Sequence, residues 1–314
     1  MASPTQKEDI IVFLMPVVNR SSEQVFPNID FNNTGKPPYE HPEKDSNFIV
    51  IDWKVAKDYA ELYEHFYTDL CKSICPIESK ELLAHHLSLW EHLKDNDVLE
   101  KKIPEYVVII EDDNTIHNHD VIKNLIISMK KNNIDTLQLK PSIFGSYENG
   151  VSIKLIDEPP IYARPGMYDL NLSAYIINSK KAISLTDAII SSGGLTGIST
   201  GLSYEIAAHE NKLSISRYVI ENSDDFITFD SFLRNKMRLD TNKQSLVNKV
   251  MGWLNKYYPN TVYALTTPLF SILGLFEVNI MGMLTLIIIV LLIMFDVQNK
   301  FVWFCTGVLI TSII

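Results

Sequence analysis

Residues 106–114, YVVIIEDDN, decide the fold. A tyrosine and four β-branched residues in a row, with no polar break, read as a strand buried on both faces, and the abrupt change to Glu111, Asp112 and Asp113 marks its carboxyl end. Working outward, residues 10–18 and residues 48–53 (FIVIDW) repeat the pattern, so both read as buried strands of a largely parallel sheet. Pro27, Pro37, Pro38 and Pro42 lie between them and mark a long loop. Residues 54–71 and 78–93 carry apolar side chains at three- and four-residue spacing, which predicts two helices separated at Pro76. A helix over 120–131, strands over 136–139 and 172–177 and a helix over 180–191 continue the alternation, and the fold class that follows is α/β and layered.

Open α/β sheets bind ligands outside the carboxyl ends of their strands. Glu111, Asp112 and Asp113 stand at such an end, where carboxylates can hold Mg²⁺ or Mn²⁺ against a diphosphate. A solvated acidic turn is the other reading of the same triplet. The chain has eight His, but His85, His86, His92, His117 and His119 form no HExxH and no paired CxxC accompanies them, so zinc is not expected. The glycine-rich residues 191–201 (SSGGLTGISTG) lack the lysine of a P-loop and read as a loop capping the pocket.

The ends of the chain differ sharply from its body. Residues 278–295 (VNIMGMLTLIIIVLLIMF) carry no charge, and eighteen residues at about 1.5 Å each reach about 27 Å, close to the hydrocarbon thickness of a bilayer. A single-pass span is expected over 269–295, with Glu277 at the interface, followed by a short apolar tail over 296–314. No basic region precedes residues 10–18, so no signal peptide is expected and a tail-anchored topology follows. The sequons at Asn19, Asn32 and Asn171 then escape glycosylation. Three cysteines, Cys71, Cys75 and Cys305, are too few for a disulfide framework, and Cys71 and Cys75 read as small buried or half-buried thiols. The net charge of −10 argues against nonspecific nucleic-acid binding.

The order LAHHLSLW at residues 83–90, YVVIIEDDN, then SAYIINSKKA at residues 173–182 resembles lipooligosaccharide and collagen galactosyltransferases, a family with a Rossmann-like, nucleotide-sugar-binding α/β fold. PVVNR at 16–20, HLSLW, DLNLSAYII at 169–177, SSGGL at 191–195, YEIA at 204–207 and YALTTPL at 263–269 carry a further resemblance over essentially the whole chain, to the heparin-binding envelope proteins of the poxvirus mature virion. That resemblance implies a glycosyltransferase-like ectodomain on the virion surface, anchored at its C-terminus in viral membrane lipid, binding cell-surface heparan sulfate and assisting attachment and assembly with other virion proteins. From the transferases it implies that Glu111, Asp112 and Asp113 bind a nucleotide sugar, with Glu111 and Asp113 on Mg²⁺ or Mn²⁺ and a UDP-sugar. By relative order Glu205 becomes the candidate base, against a plain helix-surface glutamate. His86 aligns with a helix histidine whose role is hydrogen-bonded packing.

Heparan sulfate binding by an acidic chain requires segregated charge. Residues 1–70 hold twelve acids and six Lys or Arg, whereas residues 231–260 hold Arg234, Lys236, Arg238, Lys243, Lys249 and Lys256 against Asp240, a net of +5. Those six are the candidate glycosaminoglycan ligands, and anionic lipid headgroups are an equal alternative. Lys101 with Lys102, Lys123 with Lys130 and Lys131, and Lys180 with Lys181 offer further patches if folding gathers them. The division expected is an ectodomain over 1–230, a basic membrane-proximal segment over 231–268, the anchor and the tail. An adhesin of the virion envelope is the leading expectation, with a metal-dependent glycosyltransferase and an assembly scaffold as alternatives.

Overall fold

The computed structural model describes residues 10–29, 39–43, 46–53, 64–99, 103–141, 150–166, 172–197, 202–240, 246–273 and 276–310. Its strands are β1 (Ile10–Met15), β2 (Tyr39–Glu43), β3 (Ser46–Asp52), β4 (Tyr106–Glu111), β5 (Asn114–Ile116), β6 (Thr136–Gln138), β7 (Ile153–Ile156), β8 (Ile161–Pro165), β9 (Ala174–Asn178), β10 (Arg217–Ile220), β11 (Ile227–Phe229), β12 (Pro268–Ile272) and β13 (Phe276–Asn279). Its helices are α1 (Ser22–Val25), α2 (Asp69–Ile74), α3 (Ile77–Val98), α4 (Asp120–Asn132), α5 (Ser179–Ser191), α6 (Leu202–Lys212), α7 (Ser231–Asp240), α8 (Leu246–Tyr257), α9 (Pro259–Thr266), α10 (Ile280–Met294) and α11 (Lys300–Ile310).

Among the described residues nine strands form one sheet in the order β2-β3-β1-β4-β9-β6-β10-β8-β7. The parallel part is real: β3, β1 and β4 run together, and so do β6 and β10. The expectation of a largely parallel sheet fails at β9, which runs antiparallel between β4 and β6, and again at β2, β8 and β7, which pair antiparallel with their neighbours. An apolar run reports burial on two faces, not direction, and Ala174, Tyr175, Ile176 and Ile177 are as buried as the residues of β4.

Strand alternation sends successive side chains into two cores. Val12, Leu14, Val108 and Ile110 pack with Val121, Ile122, Leu125 and Met129 of α4. Phe13, Met15, Val107 and Ile109 pack with Leu83, Leu87 and Trp90 of α3 and with Ala182, Leu185 and Ile189 of α5. Each large side chain fully buried this way contributes roughly 2–3 kcal/mol, so helices on both faces hold the sheet. Local signals set the helix ends. Asn178 accepts from the backbone N–H of Lys180 and Lys181 at the start of α5, and Asn133, with φ 53°, closes α4 in the left-handed region.

The C-terminal apolar stretch departs from the expected single span. Part of it is a two-stranded hairpin, β12 with β13, and the helix that follows has 15 residues. At about 1.5 Å per residue that helix reaches about 22 Å, short of the ~30 Å hydrocarbon layer. No helix among the described residues is long and apolar enough to cross a membrane. Two polar groups make the break. Asn279 caps α10 by accepting from Gly282 N at 2.9 Å. Glu277, expected at a membrane interface, instead accepts from the backbone N–H of Ile77 at 2.5 Å at the start of α3, which ties the hairpin to the body.

Candidate functional site

The acids end β4 where expected, at the carboxyl edge that β1 and β3 share, but all three are buried. Asp112 Oδ1 accepts from the backbone N–H of Val17 and Val18 at 2.8 and 2.7 Å, and Oδ2 from Arg20 N at 2.9 Å. Its carboxylate therefore fixes the loop leaving β1. Burial raises its pKa above the usual aspartate value, against the pull of those three N–H groups. The Arg20 guanidinium closes the same turn from the other side, donating to Asn114 O at 3.2 Å and Thr115 Oγ1 at 2.9 Å.

Glu111 and Asp113 meet Arg234. The N-terminal end of α7 is built on the acidic turn: Asp230 N donates to Asp113 O at 2.8 Å, and the Asp230 side chain accepts from Leu233 N at 3.0 Å. One helical turn on, Arg234 Nη1 lies 3.1 Å from Asp113 Oδ2 and 3.8 Å from Glu111 Oε2, and Nε donates to Glu78 Oε1 at 3.1 Å. Arg238, a turn further, donates three hydrogen bonds to Glu78, the shortest 2.8 Å, and its guanidinium stacks 4.8 Å from the Tyr263 ring. On the far side His86 Nε2 is 3.3 Å from Glu111 Oε1, and its Nδ1 is 3.1 Å from the Tyr175 hydroxyl.

The electrostatics follow from this packing. Burial pushes Glu111 up, but the His86 hydrogen bond and the Arg234 charge outweigh it and leave Glu111 below the ordinary glutamate value. Asp113 goes the other way, held well above the aspartate value by burial and by the neighbouring Glu111 charge, which Arg234 only partly offsets. Glu78 is lowered, because Arg238 and Arg234 overcome its burial. Arg234 is raised: its three acids outweigh its own desolvation.

This arrangement answers whether the acids fit a divalent cation. Both oxygens of Asp112 accept backbone N–H bonds, and a guanidinium stands between Glu111 and Asp113 where a cation bridging them would sit. Among the described residues no group of three or more His, Cys, Asp or Glu is placed to hold a metal ion. As arranged, the donor set does not fit Mg²⁺ or Mn²⁺. Beside it, however, lies a cavity of about 250 Å³ at the ends of β1 and β3, lined by Pro16, Asn19, Arg20, Asp52, Trp53 and Asp112 among others. Asp52 accepts from Ser22 Oγ at 2.9 Å and Trp53 donates to Ser88 Oγ at 3.0 Å, so both side chains are held in place in a wall of mixed polar and apolar character. Sequence reasoning missed Arg20, Asp52, Trp53 and Glu78 as members of this edge. The NR of PVVNR and the terminal DW of FIVIDW were the available signals.

Glu205 on α6 holds the glycine-rich loop, accepting from Thr196 N at 2.5 Å and from the Thr196 hydroxyl. It is neither a free surface glutamate nor joined to Glu111 and Asp113 by any described contact. Gly194, with φ 97°, passes close to the Phe66 backbone, and Gly197 lies over Cys75. Cys71 and Cys75 are correctly buried but are joined as a disulfide rather than free thiols.

The six candidate basic residues divide. Arg234 and Arg238 are engaged by acids, Lys236, Lys249 and Lys256 are exposed, and Lys243 lies outside the described residues, as do Lys101 and Lys102. A different gathering occurs at the opposite edge of the sheet. The C-terminal turn of α4 and the N-terminal turn of α5 converge there, because Asn178 N donates to Asp135 O at 2.8 Å. Lys181 lies 3.6 Å from Asp135 and Lys130 2.8 Å from Glu105, while Lys131 and Lys180 point to solvent.

The family described as Poxvirus P35 protein matches residues 1–314. The chain is 33% identical over 326 residues to envelope protein H3 of vaccinia virus (strain Copenhagen), covering 96% of this chain and 98% of that protein. It is 34% identical over 326 residues to envelope protein H3 of variola virus, with the same coverage. Against the immunodominant envelope protein p35 of fowlpox virus it is 31% identical over 331 residues, covering 98% of each.

Proposed function

The chain belongs to the poxvirus P35 protein family, whose members compared above are envelope proteins of the virion, and from that premise we propose that it is an adhesin that binds cell-surface heparan sulfate. Its ectodomain is read as glycosyltransferase-like, on the parallel β3-β1-β4 edge with its cavity and acidic turn, and its C-terminal apolar helices as the seat in viral membrane lipid. The observation that carries the adhesin reading is the lysine edge. Lys130, Lys131, Lys180 and Lys181 come together at the end of the sheet remote from the buried acids, with Lys123 one face along α4. Sulfate groups suit such lysines through charge-assisted hydrogen bonds, and a repeating polyanion engages several at once.

Heparin retention of the full chain, held in a zwitterionic nanodisc, tests this across a salt series. Binding that weakens steeply with salt and falls by at least about tenfold in the K130A/K131A/K180A/K181A variant is expected. Unchanged retention in that variant sinks the lysine edge as the site.

A second reading, transfer from a nucleotide sugar, draws on the cavity at Asp52 and Trp53 alone. Arg234 engages Glu111 and Asp113, so these acids supply no metal-dependent step to it. Its test is turnover of UDP-hexoses with Mg²⁺ or Mn²⁺, compared with an Asp113→Ala variant. No hydrolysis or transfer under any of these conditions removes it.

A further inference from the structure

We propose that the outer face of α8 is a lipid-interface surface that rests on the anionic headgroups of the bilayer holding the C-terminal helices. The two faces of α8 are chemically distinct. Inward, Met251 is buried, and Asn255 accepts from Asn235 Nδ2 at 2.7 Å and donates to Phe232 O at 3.1 Å, which fixes the helix on α7. Outward, Lys249, Val250, Trp253, Lys256 and Tyr257 fall on one stripe at three- and four-residue spacing, and all are exposed. Trp253 and Tyr257 are 61% and 57% exposed, large for aromatic rings fixed on a helix. Their centroids lie 5.4 Å apart, and the Lys256 ammonium is 5.8 Å from the Tyr257 ring, so the aromatic and cationic groups form one patch.

Charge and continuity choose the occupant. In a chain of net charge −10, residues 241–276 contain no Asp or Glu, so nothing along this stretch repels an anionic surface. The patch also leads to the apolar tail: α9 packs against both α8 and α10, and every exposed side chain of α10 is apolar. Tyr258, 61% exposed, and Leu269 and Leu273 of the hairpin are further exposed side chains in the segment that joins them. Tryptophan and tyrosine among lysines suit the boundary between headgroups and acyl chains, where the ring is half buried and the ammonium meets phosphate. A sulfated polysaccharide would use the lysines but leave Val250 and Trp253 in water, so the bilayer is the better match.

The inference extends the proposed seating in membrane and does not depend on the lysine edge. The experiment uses the full chain with Trp303→Phe, which removes the tail tryptophan and leaves Trp53 and Trp90 in the body. After reconstitution into phosphatidylcholine vesicles with and without phosphatidylserine, flotation with the vesicles scores the seating by itself. Brominated lipid then scores the surface. Quenching of a tryptophan in phosphatidylserine vesicles is expected, abolished by W253F and restored by adding Y257W, which also shows that loss of signal is not misfolding. K249A/K256A should weaken the quenching at low salt more than at high salt. Flotation with no bromine quenching, or quenching indifferent to W253F, overturns the proposal while leaving the seating intact. Heparin binding lost in K249A/K256A without lipid quenching overturns it in favour of a polysaccharide surface.

Discussion

The two ends of the same strands treat charge in opposite ways. At the carboxyl end of β4, Glu111, Asp112 and Asp113 are buried and partnered by Arg234, His86 and backbone N–H groups. At the amino end, Lys131 and Lys180 stand in solvent, with Glu105 and Asp135 holding only their neighbours. The end that reads as a binding site in sequence is internally neutralised, and the end with no motif presents its charge outward. An acidic motif read from sequence does not reveal its counterion, and here α7 supplies that counterion from a segment some 120 residues away in sequence.

The largest expected effect breaks this contrast at its acidic end. Arg234→Met leaves Glu111, Asp113 and Glu78 without their shared cation and should destabilise the fold by about 3–5 kcal/mol, read from denaturant unfolding. Adding Asp113→Asn to that variant should recover part of the loss, because the double change removes a buried carboxylate left without a countercharge. A change below about 1 kcal/mol for Arg234→Met would mean that the acids are hydrated and open to a cation after all. Asp112→Ala comes next. It strands the N–H groups of Val17, Val18 and Arg20 and should cost about 2–3 kcal/mol, while loosening the cavity wall formed by the same loop.

How much of this was legible beforehand depends on the range of the signal. The strands at 10–15, 48–52 and 106–111 and the helices α4 and α5 were readable because periodicity and flanking polar residues are local. The α/β class follows from them. The reversal at β9 was hidden, since a strand covered on both faces has the same composition in either direction. Glu111, Asp112 and Asp113 were found as a cluster, but their burial under Arg234 depends on where α7 docks, and Arg234 counted as one more positive charge in a basic run. The C-terminal run was apolar enough to suggest a span, yet the Glu277 contact at the start of α3 turns its first part into a hairpin. Hydropathy averages over that single carboxylate. The Cys71–Cys75 bond likewise depends on geometry within one helical turn that spacing alone left open.

Acid titration sharpens the contrast further. Glu78 and Glu111 are lowered in the fold, so the stability they contribute is full above the unfolded glutamate value near 4 and is lost as pH falls through their folded values. Asp113 is raised, so its burial works against the fold as pH rises through the unfolded aspartate value, the reverse sign. Glu78→Gln should therefore flatten the acid limb of a stability-against-pH curve, whereas Asp113→Asn should lift stability at neutral pH relative to acid. Equal limbs for both variants would show that Arg234 does not couple the two carboxylates.

The smallest effect on stability is expected at the lysine end, and that smallness is informative. Lys131→Ala with Lys180→Ala removes two exposed ammonium groups and should change unfolding free energy by no more than about 0.5 kcal/mol. Heparin retention of the same variant should fall, and fall less at high salt, because screening has already weakened what those lysines contribute. A group that stabilises nothing yet changes ligand retention is positioned for a partner outside the chain. If the variant lost stability and retention together, the lysines would be structural, and the amino end of the sheet would be as closed as the carboxyl end.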